Sequence, residues 1–216
     1  MSVVVAIKSE GKVYFGADSQ VTKGGTRTTL KNPNNYKIWK VDGCDHCLMA
    51  HVGNLRDANI IRLMRNVVDD YDEYANRVDY RFVVKYIVPK IIDELTNAHF
   101  LKMGDGHLDF LDSSFLFAYK DKLFSINSDG SVIEVDDYIA IGSGSQEAIG
   151  SLLSSEGQNV KRRIVKSIKA SAASDIYVDY PIILADTGDG DPAFEVITEK
   201  NENKYLIKDN EKGGKH

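Results

Sequence analysis

Two residues in the first twenty positions have side chains suited to joint chemistry: Ser2 and Asp18. A hydroxyl attacks a carbonyl once a base removes its proton, and a carboxylate within reach can take part in such a site. If Ser2 were the first residue, its own α-amine would serve as base, because such an amine titrates at about 7.7–8.0. With Met1 attached the same nitrogen is an amide and has no basicity. The small side chain of Ser2 makes ordinary removal of the initiator methionine the expected route to a free amine. Hairpin geometry ties Asp18 to the chain start, because the apolar runs Val3–Ile7 and Val13–Ala17 flank a break at Glu10-Gly11. A two-residue loop sets Asp18 opposite Val3. A three-residue loop sets it opposite Ser2, with Cβ atoms about 5 Å apart, and the sequence leaves both registers open. Spacing alone also fits a plainer reading, in which Asp18 ends a strand and Ser2 frays.

Other clusters carry weaker signals. Cys44 and Cys47 form one CxxC around His46, but no second pair completes a four-ligand zinc site, and the preceding Asp42-Gly43 reads as a hairpin turn. Gly142-Ser143-Gly144 follows a strand pattern, yet Glu147 stands where a dinucleotide fingerprint needs its third glycine. The glycines are expected to allow a sharp strand-to-helix entry with Ser145 as cap. Asp186, Asp189 and Asp191 depart from calcium-loop spacing and read as an acidic turn. Lys161, Arg162, Arg163, Lys166 and Lys169 read as the solvated face of a helix. No cofactor and no metal is expected.

The elements that must hold these residues follow from periodicity. Strand pairs are expected at Val3–Ile7 with Val13–Ala17, and at Lys37–Val41 with Cys47–Val52. Helical spacing runs from Asn54 to Val68 and again from Arg81 to Leu95, where Pro89 should kink or break the helix. Strands return at Phe115–Tyr119, Leu123–Ile126, Val132–Val135 and Tyr138–Ile141. Helices follow at Gln146–Glu156 and Val160–Ser174, then strands at Pro181–Ala185, Phe194–Thr198 and Lys204–Ile207. Strands grouped between helix pairs suit two stacked sheets with a helical layer outside each, an α+β four-layer αββα sandwich. The 216 residues suit one domain over 1–208, with 209–216 as a polar, disordered tail. An apolar share of 43%, 27% charged residues and a net charge of −5 are ordinary for a globular chain. They give no reason to expect a nucleic acid partner or a membrane. No apolar run approaches the roughly 20 residues of a membrane span, and the N-terminus makes a poor signal peptide, so a cytoplasmic location is expected.

A family resemblance joins these pieces. Val4-Ala6-Ile7, Gly16-Ala17-Asp18-Ser19-Gln20 and Thr22 resemble the opening of proteasome β subunits and of HslV, N-terminal-nucleophile hydrolases whose mature chains start with threonine. In that family an aspartate follows the nucleophile by sixteen positions, the separation of Ser2 and Asp18. Tyr36-Lys37-Ile38-Trp39-Lys40-Val41 is similar to the strand of the family's catalytic lysine, which implies Lys37. Ala140-Ile141-Gly142-Ser143-Gly144 is similar to its AIGSG signature, implying Ser143 as auxiliary serine. Ser174-Asp175-Ile176 is similar to its buried aspartate segment, implying Asp175. His51 stands where the family has the glycine whose N–H helps form the oxyanion hole, and Val178 where proteasome subunits carry a further serine.

The resemblance implies a peptidase acting through an acyl-enzyme on Ser2 after loss of Met1. It also implies peptide or unfolded-protein substrates, a homo-oligomeric ring with an internal chamber, and an ATP-dependent unfoldase feeding it. Two rivals remain on the same fold: an inactive structural or assembly subunit, and a small-molecule amidase.

Overall fold

Apolar side chains at successive positions make the first strand, β1 (Val3–Ser9), fit only where both faces are covered. It turns at Glu10-Gly11 into β2 (Lys12–Ala17), and both turn residues have positive φ, 54° and 73°. That is the two-residue turn whose twist matches its strands. Val4 therefore faces Ala17, and Asp18 falls beside Val3 instead of opposite Ser2. The computed structural model describes residues 2–65, 67–68, 78–98, 103–104, 107–108, 112–188 and 193–206.

A small ribbon, β3 (Gln20–Lys23) with β4 (Thr26–Thr29), leads to the hairpin of β5 (Ile38–Lys40) and β6 (Cys47–Gly53). Helix α1 (Leu55–Ile61) is capped by the Asn54 side chain, which accepts from Arg56 N–H. Then come α2 (Tyr80–Phe82), a π turn at Val83–Ile87, and α3 (Val88–Asn97). After the short pair β7 (Met103–Gly104) and β8 (His107–Leu108) the chain forms β9 (Ser113–Tyr119), β10 (Lys122–Ile126), β11 (Val132–Glu134) and β12 (Tyr138–Gly142). Helices α4 (Ser145–Ser154) and α5 (Val160–Ser174) precede β13 (Ile182–Asp186), β14 (Glu195–Ile197) and the short α6 (Asn203–Leu206).

Two five-stranded antiparallel sheets result, ordered β12-β1-β2-β13-β14 and β11-β10-β9-β6-β5. Alternate side chains of each sheet meet in the seam, where Val4, Ala6 and Phe15 pack on Leu48, Ala50 and Leu116. The outer face of the first sheet packs on α4 and α5 through Val5, Ile7, Ile164 and Ile168. The outer face of the second packs on α1 and α3 through Met49, Phe117, Ile61 and Ile91. The layers are thus helix, sheet, sheet, helix, as the grouping of elements implied. Among the described residues no helix is long and apolar enough to cross a membrane.

Four expectations change. The helix from Asn54 ends at Ile61, because Leu63 and Met64 bond three residues back, to Ile60 and Ile61, and tighten the chain into a turn. Pro89 does not break the second helix. Its missing N–H is absorbed by the wider π turn, in which Val88 N–H reaches back five residues to Val83. Ser145 is the first helical residue, and Gly144 is the cap without a side-chain bond. The strand expected at Lys204–Ile207 is helical at Asn203–Leu206, where Tyr205 and Leu206 N–H both bond the Glu202 carbonyl. Ile207, the tail 209–216, Asp189 and Asp191 lie outside the described residues. Cys44 does lie in the β5–β6 turn, and a disulfide joins it to Cys47, the first residue of β6.

Candidate active site

Asp18 leaves β2 fully buried, and a carboxylate there needs donors on both oxygens. It has them: Oδ1 accepts from Val3 N–H at 2.9 Å and Lys37 Nζ at 2.7 Å, and Oδ2 from Gln20 N–H at 2.9 Å. The Lys37 ammonium spends its three donors on Asp18 Oδ1, the Gln20 carbonyl at 2.6 Å and Ser2 Oγ at 2.7 Å. Burial is the largest influence on both partners, pushing the Asp18 carboxyl up and the Lys37 ammonium down, while their mutual attraction opposes each. The pattern of acceptors around lysine and donors around aspartate is that of an ion pair.

Ser2 is fixed from the other side as well. Its N–H donates to Ser143 Oγ at 3.1 Å, and its carbonyl accepts from Gly144 N–H at 3.4 Å. Gly142 makes this approach possible: its φ is +103°, and a Cβ there would lie 2.1 Å from the Ser2 carbonyl oxygen. Behind Gly144, Ser171 Oγ donates to its carbonyl at 2.6 Å.

Ser2, Asp18, Lys37 and Ser143 are thus linked directly by hydrogen bonds. Asp175, at the end of α5, is linked by charge: it favours protonated Lys37, and its Oδ1 accepts from Tyr177 N–H at 2.9 Å. His51 lies in the same cleft, but its backbone N–H donates to the Lys37 carbonyl at 3.0 Å. Its ring sits between Trp39 and Phe115, with centroids at 6.0 and 6.4 Å. Burial, then Lys37, then Arg62, lowers its pKa to about 3, so it is neutral over the ordinary pH range.

Two residues outside the expected set belong here. Gln20 accepts from Lys37 through its backbone, and its side-chain amide donates to the Ile176 carbonyl at 2.8 Å, joining the ion pair to the Asp175 turn. Arg62 lies over the Trp39 ring at 5.2 Å and donates to the Tyr36 carbonyl, next to Lys37. A cation inside the apolar run Ile60–Met64 was the available signal for it. The cleft over this constellation has a volume of about 580 Å³, with walls from β3 and from the start of α1.

A serine at the head of a central strand, against a buried lysine–carboxylate pair in a helix–sheet–sheet–helix frame, defines the N-terminal-nucleophile hydrolase class of fold. The chain belongs to the proteasome subunit family, whose model matches residues 2–173. Among solved structures it is similar to BPH of Thiobacillus denitrificans (19% identity, TM-score 0.66, covering 85% of this chain and 96% of that one). It is also similar to Anbu of Hyphomicrobium sp. strain MC1 (14%, TM-score 0.68, 95% and 92%) and to HslV of Trypanosoma brucei (18%, TM-score 0.61, 85% and 98%). At these identities the likeness is one of fold. No curated protein sequence matches the chain.

Proposed function

We propose that the chain is an N-terminal-nucleophile peptidase in which Ser2, freed of Met1, attacks peptide carbonyls. The observation that carries this reading is the contact of Lys37 Nζ with Ser2 Oγ at 2.7 Å while the same ammonium is held by Asp18. The cation favours the alkoxide that forms as Oγ loses its proton to the α-amine. The alkoxide oxygen bonds the carbonyl carbon, the amine passes the proton to the leaving nitrogen, and an ester on Ser2 remains. Water then attacks the ester, gives a proton to the amine, and restores the hydroxyl as the acid departs. Ser143, as acceptor for the Ser2 nitrogen, orients the amine, and Asp175 helps keep Lys37 charged.

Mass spectrometry of the N-terminus together with fluorogenic peptide turnover tests this. The expected outcome is a mature chain beginning at Ser2, with Ser2→Ala lowering turnover by about 10³-fold or more. Retained Met1, or equal activity in the two proteins, refutes it. One observation favours the inactive-subunit reading, namely that the His51 N–H is already engaged by Lys37.

Family membership supports a homo-oligomeric ring in the cytoplasm, fed by an ATP-dependent unfoldase with unfolded protein. Light scattering on the purified protein is expected to give a multiple of the 24.0 kDa chain, and a monomer would remove the ring.

A further inference from the structure

We propose that Cys44 and Cys47 form a reversible thiol–disulfide site, which exchanges with dithiols at the surface while the fold stays intact and whose state is felt at Trp39. The site lies at the turn of the β5–β6 hairpin, the end away from Lys37 and His51, and needs no peptidase activity. Three observations lead to it.

The first is how little the bridge holds. It joins residues with a sequence separation of 3 and Cα atoms 5.5 Å apart, at one hairpin turn. A cross-link over so short a loop removes few unfolded conformations, and it ties together no elements that are not already paired. Hydrogen bonds hold the turn without it. Val41 N–H donates to the Cys47 carbonyl at 3.3 Å, Cys44 N–H to the Val41 carbonyl at 3.2 Å, and Lys120 N–H to the His46 carbonyl at 3.0 Å. The His46 ring, through Nδ1–H, also reaches the carbonyls of Thr187 and Gly188 at 3.1 and 3.2 Å. Opening the bridge therefore leaves the turn in place. In a cytoplasm, the location proposed above, thiols keep cysteines reduced, and the disulfides that do form are mostly transient or redox-sensing.

The second is unequal access. Cys47 heads β6 and is 1% exposed, whereas Cys44 is 5% exposed and stands between Gly43 and Asp45, both on the surface. An incoming sulfur thus meets Cys44, and Cys47 is the leaving group. The reductant's thiolate bonds Cys44 Sγ as the Cys44–Cys47 bond breaks, and the Cys47 sulfur departs with the electron pair and takes a proton. A second thiolate, of the same dithiol or of another thiol, attacks the reductant's sulfur in the mixed disulfide. The Cys44 sulfur is released, takes a proton, and the reductant leaves as a disulfide, so that the chain has gained a pair of electrons and a pair of protons.

The third is the neighbour. Cys44, Cys47 and Trp39 share one buried cluster. Trp39 is the one tryptophan of the chain, and its ring lies 6.0 Å from that of His51 and carries Arg62 at 5.2 Å. Separate thiols need more room than a bonded pair of sulfurs, so reduction presses on the packing around that indole.

The test equilibrates the purified protein in glutathione buffers of graded reduced-to-oxidised ratio, approached from both ends. Alkylation and mass measurement count free thiols, tryptophan emission reports on Trp39, and circular dichroism follows the fold. Thiol count and emission are expected to change together and reversibly within the series, with the circular dichroism unchanged. A bridge that persists at the reducing end until the protein is unfolded is structural and overturns the proposal. So do thiols that stay free at the oxidising end, circular dichroism lost on reduction, or emission that does not move. The order of attack has its own test. Cys47→Ser should take up glutathione on Cys44 about tenfold or more faster than Cys44→Ser takes it up on Cys47, and equal rates would refute Cys44 as the point of entry.

Discussion

Lys37 is 2% exposed and Asp18 is fully buried, so each depends on the other for its charge. Removing one member of such a pair leaves an uncompensated charge and costs about 3–5 kcal/mol. Lys37→Met is therefore expected to lower stability by that order and to abolish turnover, and Asp18→Asn added to it should recover much of the stability and none of the activity. Denaturant unfolding of the three variants measures this, and simple additivity would count against the pair. His51 gives a pH prediction of definite sign. Its pKa is about 3 in the fold and about 6.5 in the unfolded chain, so the unfolded chain alone takes a proton between those values. Stability then falls as pH drops below about 6.5, by at most about 1.4 kcal/mol per unit, until the folded ring also protonates near 3. Burial is the largest cause, and the side chains that add to it, Lys37 and Arg62, are both cations. His51→Gln should flatten the curve between about pH 7 and 5, and an unchanged curve would show that other groups govern it. At this scale the sequence was legible for the meeting of Ser2, Asp18, Lys37 and Ser143, whose order along the chain carried the reading. It was not legible for Arg62, because nothing in a helical pattern says that a charged residue will turn inward onto a tryptophan from another strand.

Elements were read well where turn chemistry agreed with periodicity. Glu10-Gly11 supplied both the break and the register, once positive φ at each residue fixed a two-residue loop. Apolar spacing alone was a poorer guide. Val67 and Val68 are buried as their spacing implied, but the helix has already ended at Ile61, and burial alone does not show where a helix stops. Tyr205 and Leu206 belong to a short apolar run that suits a strand, yet they pack on α5 as a single helical turn, because their N–H groups bond the Glu202 carbonyl. The turn from β12 into α4 carries the sharpest prediction for an element. A methyl at Gly142 would collide with the Ser2 carbonyl oxygen at 2.1 Å in a backbone region that L-residues avoid. Gly142→Ala is expected to cost about 1–3 kcal/mol and, on the proposed function, to reduce turnover more than stability, because Ser2 is what must move. Thermal melts beside steady-state kinetics would check this, and full activity would refute it.

In the molecule as a whole, two sheets share one apolar seam, and the site lies at an end of that seam where β1 and β5 begin. Phe15, fully buried there, is tied to both halves. Phe15→Ala should cost about 3–5 kcal/mol, a large share of the roughly 5–15 kcal/mol that holds a domain together. Secondary and tertiary signals are expected to be lost together in one transition, and two separated transitions would mean that the sheets stand independently. The layered frame was legible from the grouping of strands and helices, since an apolar sheet face must be covered. The depth of the site was not, because it depends on which strand edges meet.

The position of β1 between β12 and β2 has a consequence for how the protein is made. Val3 pairs with Gly142, so the first strand waits for more than a hundred later residues before its second edge is filled. On a ribosome adding about 5–20 residues per second, that wait lasts several seconds or more. Ser143, which holds the nitrogen of Ser2, arrives on the same late segment. A chain that has emerged only as far as β11 has the Ser2 side chain but not the serine that holds the Ser2 nitrogen. One of the first residues translated thus finds its partners among the later ones, and the cluster around Ser2 is assembled only when most of the chain has emerged.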